Sequence, residues 1–258
     1  MSASEPRVTV IVPTLNEEAW LPDLLATLDG QTLPIHQLIV ADADSTDATR
    51  EIAKARGGLV VQGGHPGEGR NEGARHATGD WLLFLDADVR LPESALEVAF
   101  QEMAREGLDS ASTWFVPDSR NLFLRFNHWI SGVYFRFASK LGWSHSIGAF
   151  MLVQKAQHDE IGGFDVSITV AEDQDYVLRL SKLGRYGFMR RPVVEIAARR
   201  FEAEGSLRQS IKWLGIELHR LVLGEIRGER FGYFRKRLPS RISNRRARSR
   251  RADSEPRR

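Results

Sequence analysis

The sequence predicts an α/β protein in which a mostly parallel sheet is flanked by helices, and three features carry that prediction. Short runs of strand length, Val8–Pro13, Gln37–Ala41, Leu59–Gln62 and Trp81–Leu85, recur with helical patterns between them. Strands alternating with helices at this spacing form parallel, Rossmann-like βαβ units. Trp81–Leu85 is apolar without interruption, as a strand covered on both faces requires. Polar clusters directly follow the strands, Thr14-Leu15-Asn16-Glu17-Glu18 after the first and Asp42 to Asp47 after the second. In open α/β sheets, ligands bind beyond the carboxyl ends of the strands, which is where such clusters sit.

The elements follow in order. Trp20, Leu21, Leu24, Leu25 and Leu28 fall on one face of a first helix. The Asp42–Asp47 cluster is rich in helix-capping residues and precedes a helix over Ala48–Ala55, closed by Gly57-Gly58. A glycine-rich loop, Gly63 to Gly69, leads into a short helix over Arg70–Arg75. After residue 92 a helix over Glu93–Arg105 and a strand over Ser110–Phe115 are expected, then a long helix within Asn121–Trp143. There Leu122, Phe126, Ile130, Val133, Phe137 and Leu141 form a stripe flanked by Arg125, Arg136 and Lys140. The stripe reads as core and acceptor-side wall; its aromatic content and basic flanks also admit a helix lying on a membrane surface. A strand over Gly148–Val153 follows, then a helix opened by Glu172-Asp173. Leu207, Ile211, Leu214, Leu218 and Leu221 stripe a last helix.

Composition sets limits. The 258 residues are 42% hydrophobic and 27% charged, enough for one sizeable core. No apolar run approaches the roughly 18 residues of a membrane span, and the short polar start is unlike a signal peptide. The absence of cysteine excludes disulfides, thiolate nucleophiles and cysteine-held zinc, and fits a reducing, cytoplasmic setting. The net charge of +2 conceals a division: residues 235–258 carry 11 Lys/Arg against Asp253 and Glu255, leaving residues 1–234 with 25 basic and 32 acidic side chains. The basic tail, nearly without apolar residues, is expected to be disordered.

The chemistry centres on Asp86 and Asp88 at the end of Trp81–Leu85. Along an extended chain these side chains point the same way, so two like charges converge at the mouth of a hydrophobic strand. An oxygen-preferring cation, Mn²⁺ or Mg²⁺, would resolve the repulsion. The plain alternative is a turn before a helix opened by Pro92. The seven histidines are scattered, with no His-x-His or His-Glu-x-x-His, and read as surface or core residues, with one from the C-terminal half as the alternative that would complete a metal shell.

Taken together, five segments resemble the family 2 inverting nucleotide-sugar glycosyltransferases, which have the GT-A fold. They are Val12-Pro13-Thr14-Leu15-Asn16-Glu17, Asp42 with Ser45-Thr46-Asp47, Gly69-Arg70-Asn71-Glu72-Gly73-Ala74, Leu83 to Asp88, and Gly162-Gly163-Phe164-Asp165 with Glu172-Asp173. The resemblance covers roughly residues 8–215. It implies that Pro13, Thr14, Asn16 and Glu17 line the donor pocket and that Asp42 accepts a hydrogen bond from the base. It implies Arg70 near base or phosphates, Asp86-Ala87-Asp88 on the donor, and a metal held by Asp88 with Asp86. Asp173 is the implied catalytic base, and Glu172 stands between acceptor contact and helix start. Arg199 and Arg200 lie where relatives carry a basic lid over the diphosphate. Gln209-x-x-Lys212-Trp213 is similar to the Gln-x-x-Arg-Trp of processive members, with a lysine that cannot grip bidentately.

The implied activity is a single transfer of a hexosyl unit, with inversion, from a UDP- or GDP-sugar to an acceptor hydroxyl on a cell-envelope or lipid-linked glycan. The stretch Gly67-Glu68-Gly69-Arg70 replaces the Lys-Gly-Leu-Gly of polyprenyl-phosphate mannosyltransferases, which lowers the case for that acceptor. The expected organisation is a disordered 1–6, one domain over 7–234 (nucleotide-binding part about 7–92, acceptor-side part about 93–234) and the tail. The tail admits a peripheral contact with an anionic membrane, with a solvated, functionless tail as the alternative. A sugar-1-phosphate nucleotidyltransferase is the rival enzyme, but its usual glycine-rich, Arg/Lys-bearing loop after the first strand is replaced by Pro13–Glu17. A nucleic-acid-binding protein is argued only by the tail, against an acidic body, and no nucleic-acid partner is expected.

Overall fold

In the computed structural model, the residues described are 5–146, 148–199, 205, 208, 211–212, 215–216, 219 and 224–227. Alternation of strand and helix runs through the first part: β1 (Val8–Thr14), α1 (Leu21–Asp29), β2 (Gln37–Asp42), α2 (Thr49–Ala55), β3 (Leu59–Gln62), α3 (Pro66–Arg75) and β4 (Trp81–Leu85). Then follow β5 (Val89–Arg90), α4 (Ala95–Glu106), β6 (Ser110–Asp118), α5 (Leu122–Lys140), β7 (Phe150–Gln154), α6 (Lys155–Glu160), β8 (Ile168–Val170), α7 (Glu172–Leu180), β9 (Tyr186–Ala197) and β10 (Ile226–Arg227). Eight strands form one sheet in the order β3-β2-β1-β4-β7-β6-β9-β5, and β10 pairs with β8. β3, β2, β1 and β4 are mutually parallel, β7 runs antiparallel to β4 and β6, and β9 returns parallel to β6.

The central strands are buried on both faces, as their unbroken apolar runs require. Along β1, Val8, Val10 and Val12 enter the core beneath α1 and α4, while Ile11 points to the opposite core with Tyr176 and Val177 of α7. Along β4, Leu83 and Leu85 take the first side, Leu82 and Phe84 the second. This period of two puts both helical layers against the same backbone.

Three expectations change. Residues 66–69, read as loop, belong to α3: Pro66 starts the helix, and His65 and Glu68 cap each other's backbone. Gly73 lets α3 press onto β1, where a Cβ would stand 2.4 Å from Ile11 Cγ2. Second, Asp86 to Val89 is not extended; the Val89 N–H reaches back to the Asp86 carbonyl at 3.3 Å. The alternation argument for Asp86 and Asp88 therefore stops at Leu85. Third, the α5 stripe is not core. Leu122, Phe126, Ile130, Val133, Phe137 and Leu141 all face outward, and the inward face is built from Leu124, Gly132 and Ala138. Gly132 gives the reason: a Cβ there would lie 2.8 Å from the Trp114 ring, so the helix packs on β6 through its small residues. The last helix falls partly outside the described residues, as does the whole tail; positions 208, 211–212, 215–216 and 219 are helical.

Candidate active site

The end of β1 and the end of β2 are tied by one carboxylate. Asp42 is buried and takes hydrogen bonds from Thr14 Oγ1 (3.1 Å), the Ser45 N–H (2.9 Å), the Ser45 hydroxyl and the Arg50 guanidinium. Burial acts to raise its pKa, but the Ser45, Arg50 and Thr14 hydrogen bonds outweigh this and hold it below the ordinary carboxylate value. Four donors occupy the roughly four lone-pair directions of a carboxylate. A base reaching Asp42 must therefore displace one, and half-exposed Arg50 is the donor able to swing away.

Asn16 shapes the adjacent loop in the left-handed region at φ 57°, which asparagine tolerates better than most residues. Its Oδ1 accepts from the Thr46 N–H at 2.8 Å, and its own N–H donates to Ser45 Oγ at 2.8 Å. The Glu17 N–H donates to Thr49 Oγ1 at 2.8 Å. These bonds lock the loop after β1 to the loop after β2 and leave the Glu17 side chain directed at Arg199. Pro13 is partly exposed and Thr14 buried at that junction.

Two arginines organise the carboxylates. Arg199, two residues past the end of β9, donates two 2.8 Å hydrogen bonds to the Glu17 carboxylate and brings Nε to 2.8 Å from Asp88 Oδ2. Its guanidinium also lies over the Trp20 ring at 5.8 Å. Arg70, buried on α3, donates to Glu172 Oε1 at 2.8 Å and to Asp86 Oδ1 at 3.1 Å, while its Nε finds no hydrogen-bond partner. Burial works against both charges. Glu172, Asp86 and Asp173 outweigh it at Arg70, as Asp88 and Glu17 do at Arg199, and both pKa values rise. Burial raises the Glu17 pKa; Arg199 opposes this, and Asp88 and Asp86 push in the same direction as burial.

Asp86 and Asp88 are thus unequal. The Asp86 side chain is 40% exposed and held by Arg70; that of Asp88 is 10% exposed and held by Arg199. Ala87 between them is buried. Asp173, the second residue of α7, lies beside Arg70; the helix opens with Glu172 directly after Ala171, whose φ of 60° is unusual for a residue with a Cβ. Gln174 anchors this end of α7, accepting from the Ser146 N–H at 3.2 Å and donating to the Ser146 carbonyl.

So Thr14, Glu17, Asp42, Arg70, Asp86, Asp88, Glu172, Asp173 and Arg199 gather at the carboxyl ends of β1, β2 and β4. Lys212 is a half-buried helical position, while Arg200 and Trp213 lie outside the described residues. Sequence reasoning missed Arg50, Ser45's double contact and Gln174. Ser45 lay within a quoted motif, but nothing in the sequence flagged Arg50 or Gln174. The Asn71 of the same motif proves to be a clasp, donating to the Phe164 carbonyl and accepting its N–H at 2.9 and 2.8 Å.

Among the described residues no three metal-ligating side chains converge on one point. The donor chemistry nevertheless suits a hard cation. Asp88 and Asp86 add to the cost of charging Glu17, and the oxygen-only set of these three carboxylates matches Mg²⁺ or Mn²⁺, which is commonly bound by one or two carboxylates plus substrate phosphates.

The fold and site define an α/β protein with a carboxylate- and arginine-lined cleft at the carboxyl edge of its sheet. The model of the family described as Glycosyl transferase family 2 matches residues 9–162, and the chain belongs to that family. It is 38% identical over 109 residues to the 4,4'-diaponeurosporenoate glycosyltransferase of Staphylococcus haemolyticus, covering 38% of this chain and 29% of that protein. It is 29% identical over 198 residues to an uncharacterized glycosyltransferase of Haemophilus influenzae, covering 67% and 61%. The chain thus spans 29% and 61% of these relatives' lengths, under two thirds of each. Staphylococcus aureus TarS 1–349, solved with UDP-GlcNAc, matches with a TM-score of 0.61 at 21% identity, covering 74% of this chain and 58% of that one. The mannosyltransferase PcManGT of Pyrobaculum calidifontis, solved with GDP-Man and Mn²⁺, matches with a TM-score of 0.59 at 24% identity, covering 75% and 57%. These likenesses establish the GT-A fold.

Proposed function

We propose that the chain transfers a single hexosyl unit, with inversion, from a UDP- or GDP-sugar to an acceptor hydroxyl of a cell-envelope or lipid-linked glycan. The observation that carries this reading is the joined pair of clusters, Glu17–Arg199–Asp88 and Asp86–Arg70–Glu172, with Asp173 at its edge. TarS and PcManGT, solved with UDP-GlcNAc and with GDP-Man and Mn²⁺, support a nucleotide-sugar donor by likeness of fold.

In this reading Pro13, Thr14, Asn16, Glu17 and Asp42 form the nucleoside pocket, with Arg50 yielding Asp42 to the base. Asp88, with Asp86 through water, would hold Mn²⁺ or Mg²⁺, which would supply positive charge toward the departing diphosphate. Arg199, with Arg200 beside it in sequence, closes over the diphosphate once its hold on Glu17 is exchanged for phosphate. Arg70 keeps Asp86 and Glu172 in fixed positions. Asp173 takes the acceptor proton; a carboxylate suffices because deprotonation can lag behind cleavage of a glycosyl bond with oxocarbenium character. Lys212 and Trp213 belong to the acceptor or phosphate side.

The test is thermal unfolding against a panel of nucleotide sugars with and without Mn²⁺, followed by donor hydrolysis. One UDP- or GDP-sugar should raise the melting temperature in an Mn²⁺-dependent way, and Asp88→Asn should remove both the shift and slow hydrolysis. Asp173→Asn should abolish transfer yet keep the donor-induced shift. If no nucleotide sugar stabilises the protein or is consumed by it, the donor assignment fails.

A further inference from the structure

We propose that the outward face of α5 is a docking surface for an anionic lipid bilayer, on which the helix lies in the plane of the headgroups. The proposal stands independently of the donor reading.

The face is large and apolar. Leu122 is 80% exposed, Phe137 63% and Trp143 65%, with Phe126, Trp129 and Ile130 about half exposed between them. Leu122, Phe126, Trp129, Ile130 and Phe137 fall at helical spacing on one side of a 19-residue helix, about 28 Å long, and Trp143 follows just past its end. Contiguous exposed apolar surface on this scale marks an interaction site, because leaving it in water costs free energy with no compensating contact. Phe126 and Trp129 stack on each other at 6.1 Å, so the aromatic surface is formed before any partner arrives. No described helix is long and apolar enough to cross a membrane, and a helix with one apolar face and a basic border is of the kind that lies on one.

Charge selects the occupant. From Ser119 to His158 the sequence holds five Lys/Arg and no Asp or Glu, although residues 1–234 carry more acids than bases. On α5, Arg125 and Lys140 are exposed, and Lys140 shares a cleft with Trp129, Phe137 and exposed Arg190. Arg136 is turned inward onto Glu106 and the Phe188 carbonyl. An apolar strip bordered by cations, with tryptophan and tyrosine among its side chains, matches the layered chemistry of an anionic bilayer surface. A second copy fits poorly, since two-fold pairing would bring the same cations together. Residues 235–258 fit poorly as a cover, with Leu238 and Ile242 as their only large apolar side chains.

The experiment is flotation of the full chain with vesicles of phosphatidylcholine alone, or of phosphatidylcholine and phosphatidylglycerol in equal parts. The variants are Phe126→Ser/Phe137→Ser, Arg125→Gln/Lys140→Gln and a deletion after Phe234. Because the substituted side chains are exposed, melting temperatures should stay close to the wild type and serve as the folding control. The proposal expects binding to the anionic vesicles, weakened at least about tenfold by the Phe pair and measurably by the charge pair, with the Trp emission of the wild type shifting to the blue. Retention of these effects in the tail-deleted chain also supports the face. The proposal is overturned if the wild type ignores anionic vesicles, or if binding follows the tail and not α5. It is equally overturned if the Phe pair leaves vesicle binding unchanged but converts a dimer to a monomer in sedimentation equilibrium.

Discussion

Replacing Arg70 with methionine tests whether the buried arginine holds the two halves of the site together. The substitution keeps most of the side chain's length and removes its charge. Glu172, whose side chain is only 13% exposed, then loses its partner at 2.8 Å. Breaking a buried ion pair from one side costs about 3 kcal/mol, since the remaining carboxylate stays desolvated and unpaired. Asp86 adds little: it is 40% exposed and regains water, so its share is under about 1 kcal/mol. The mutation also removes the unpartnered Nε, a gain of about 1 kcal/mol that offsets the Asp86 loss. The net of about 3 kcal/mol should lower the melting temperature by roughly 6–12 °C for a chain of this size. The assay is thermal unfolding by circular dichroism for the wild type, Arg70→Met, Glu172→Gln and the double variant. With the charge of Glu172 also removed, the double variant should recover to within roughly 2–4 °C of the wild type. A double variant as unstable as Arg70→Met would refute the reasoning, because the loss would then come from packing and not from an unpaired carboxylate.

Two further perturbations read other parts of the structure. Burial pushes the His158 pKa from 6.5 down to about 4, so between those values the unfolded chain binds a proton that the folded chain refuses. Stability is therefore fully present above pH 6.5 and falls as the pH drops toward 4, by up to about 3 kcal/mol. His158→Gln, which can still meet the Tyr176 hydroxyl, should flatten that limb of urea-midpoint measurements against pH; an unchanged slope assigns the acid sensitivity elsewhere. Ala171→Gly removes the Cβ from a left-handed residue, relieving about 1–2 kcal/mol of strain against a glycine entropy cost of about 0.5–1. A melting temperature higher by roughly 1–3 °C is expected, and a fall would mean that the packing of the Ala171 methyl outweighs the strain.

What the sequence could announce depended on whether a signal was local or assembled from distant parts. The doubly buried strands announced themselves, because a strand covered on both faces is largely apolar: β4 is apolar throughout, β1 is interrupted only by Thr9 and Thr14, and β2 only by Gln37 and Asp42 at its ends. β9 did not: Arg190, Arg191 and Pro192 interrupt it where its register against β6 shifts, so its pattern reads as a break. Residue types at the site were legible through the motif series, and Glu17, Asp42, Arg70, Asp86, Asp88 and Asp173 do lie together. Their pairings were not legible. Arg70 and Glu172 are 102 positions apart, and Glu17 and Arg199 are 182 apart, so only the sheet order brings each pair into contact. The α5 stripe shows the opposite failure. Its helical period was read correctly, but period alone says that a helix has an apolar face, not that the protein covers it. Covering was decided by Gly132 and Ala138 on the other side, where small residues let the helix seat against Trp114 and leave the aromatics outside. For a helix with two packable faces, closeness of approach chooses the inward one, and the larger apolar face is left for a partner.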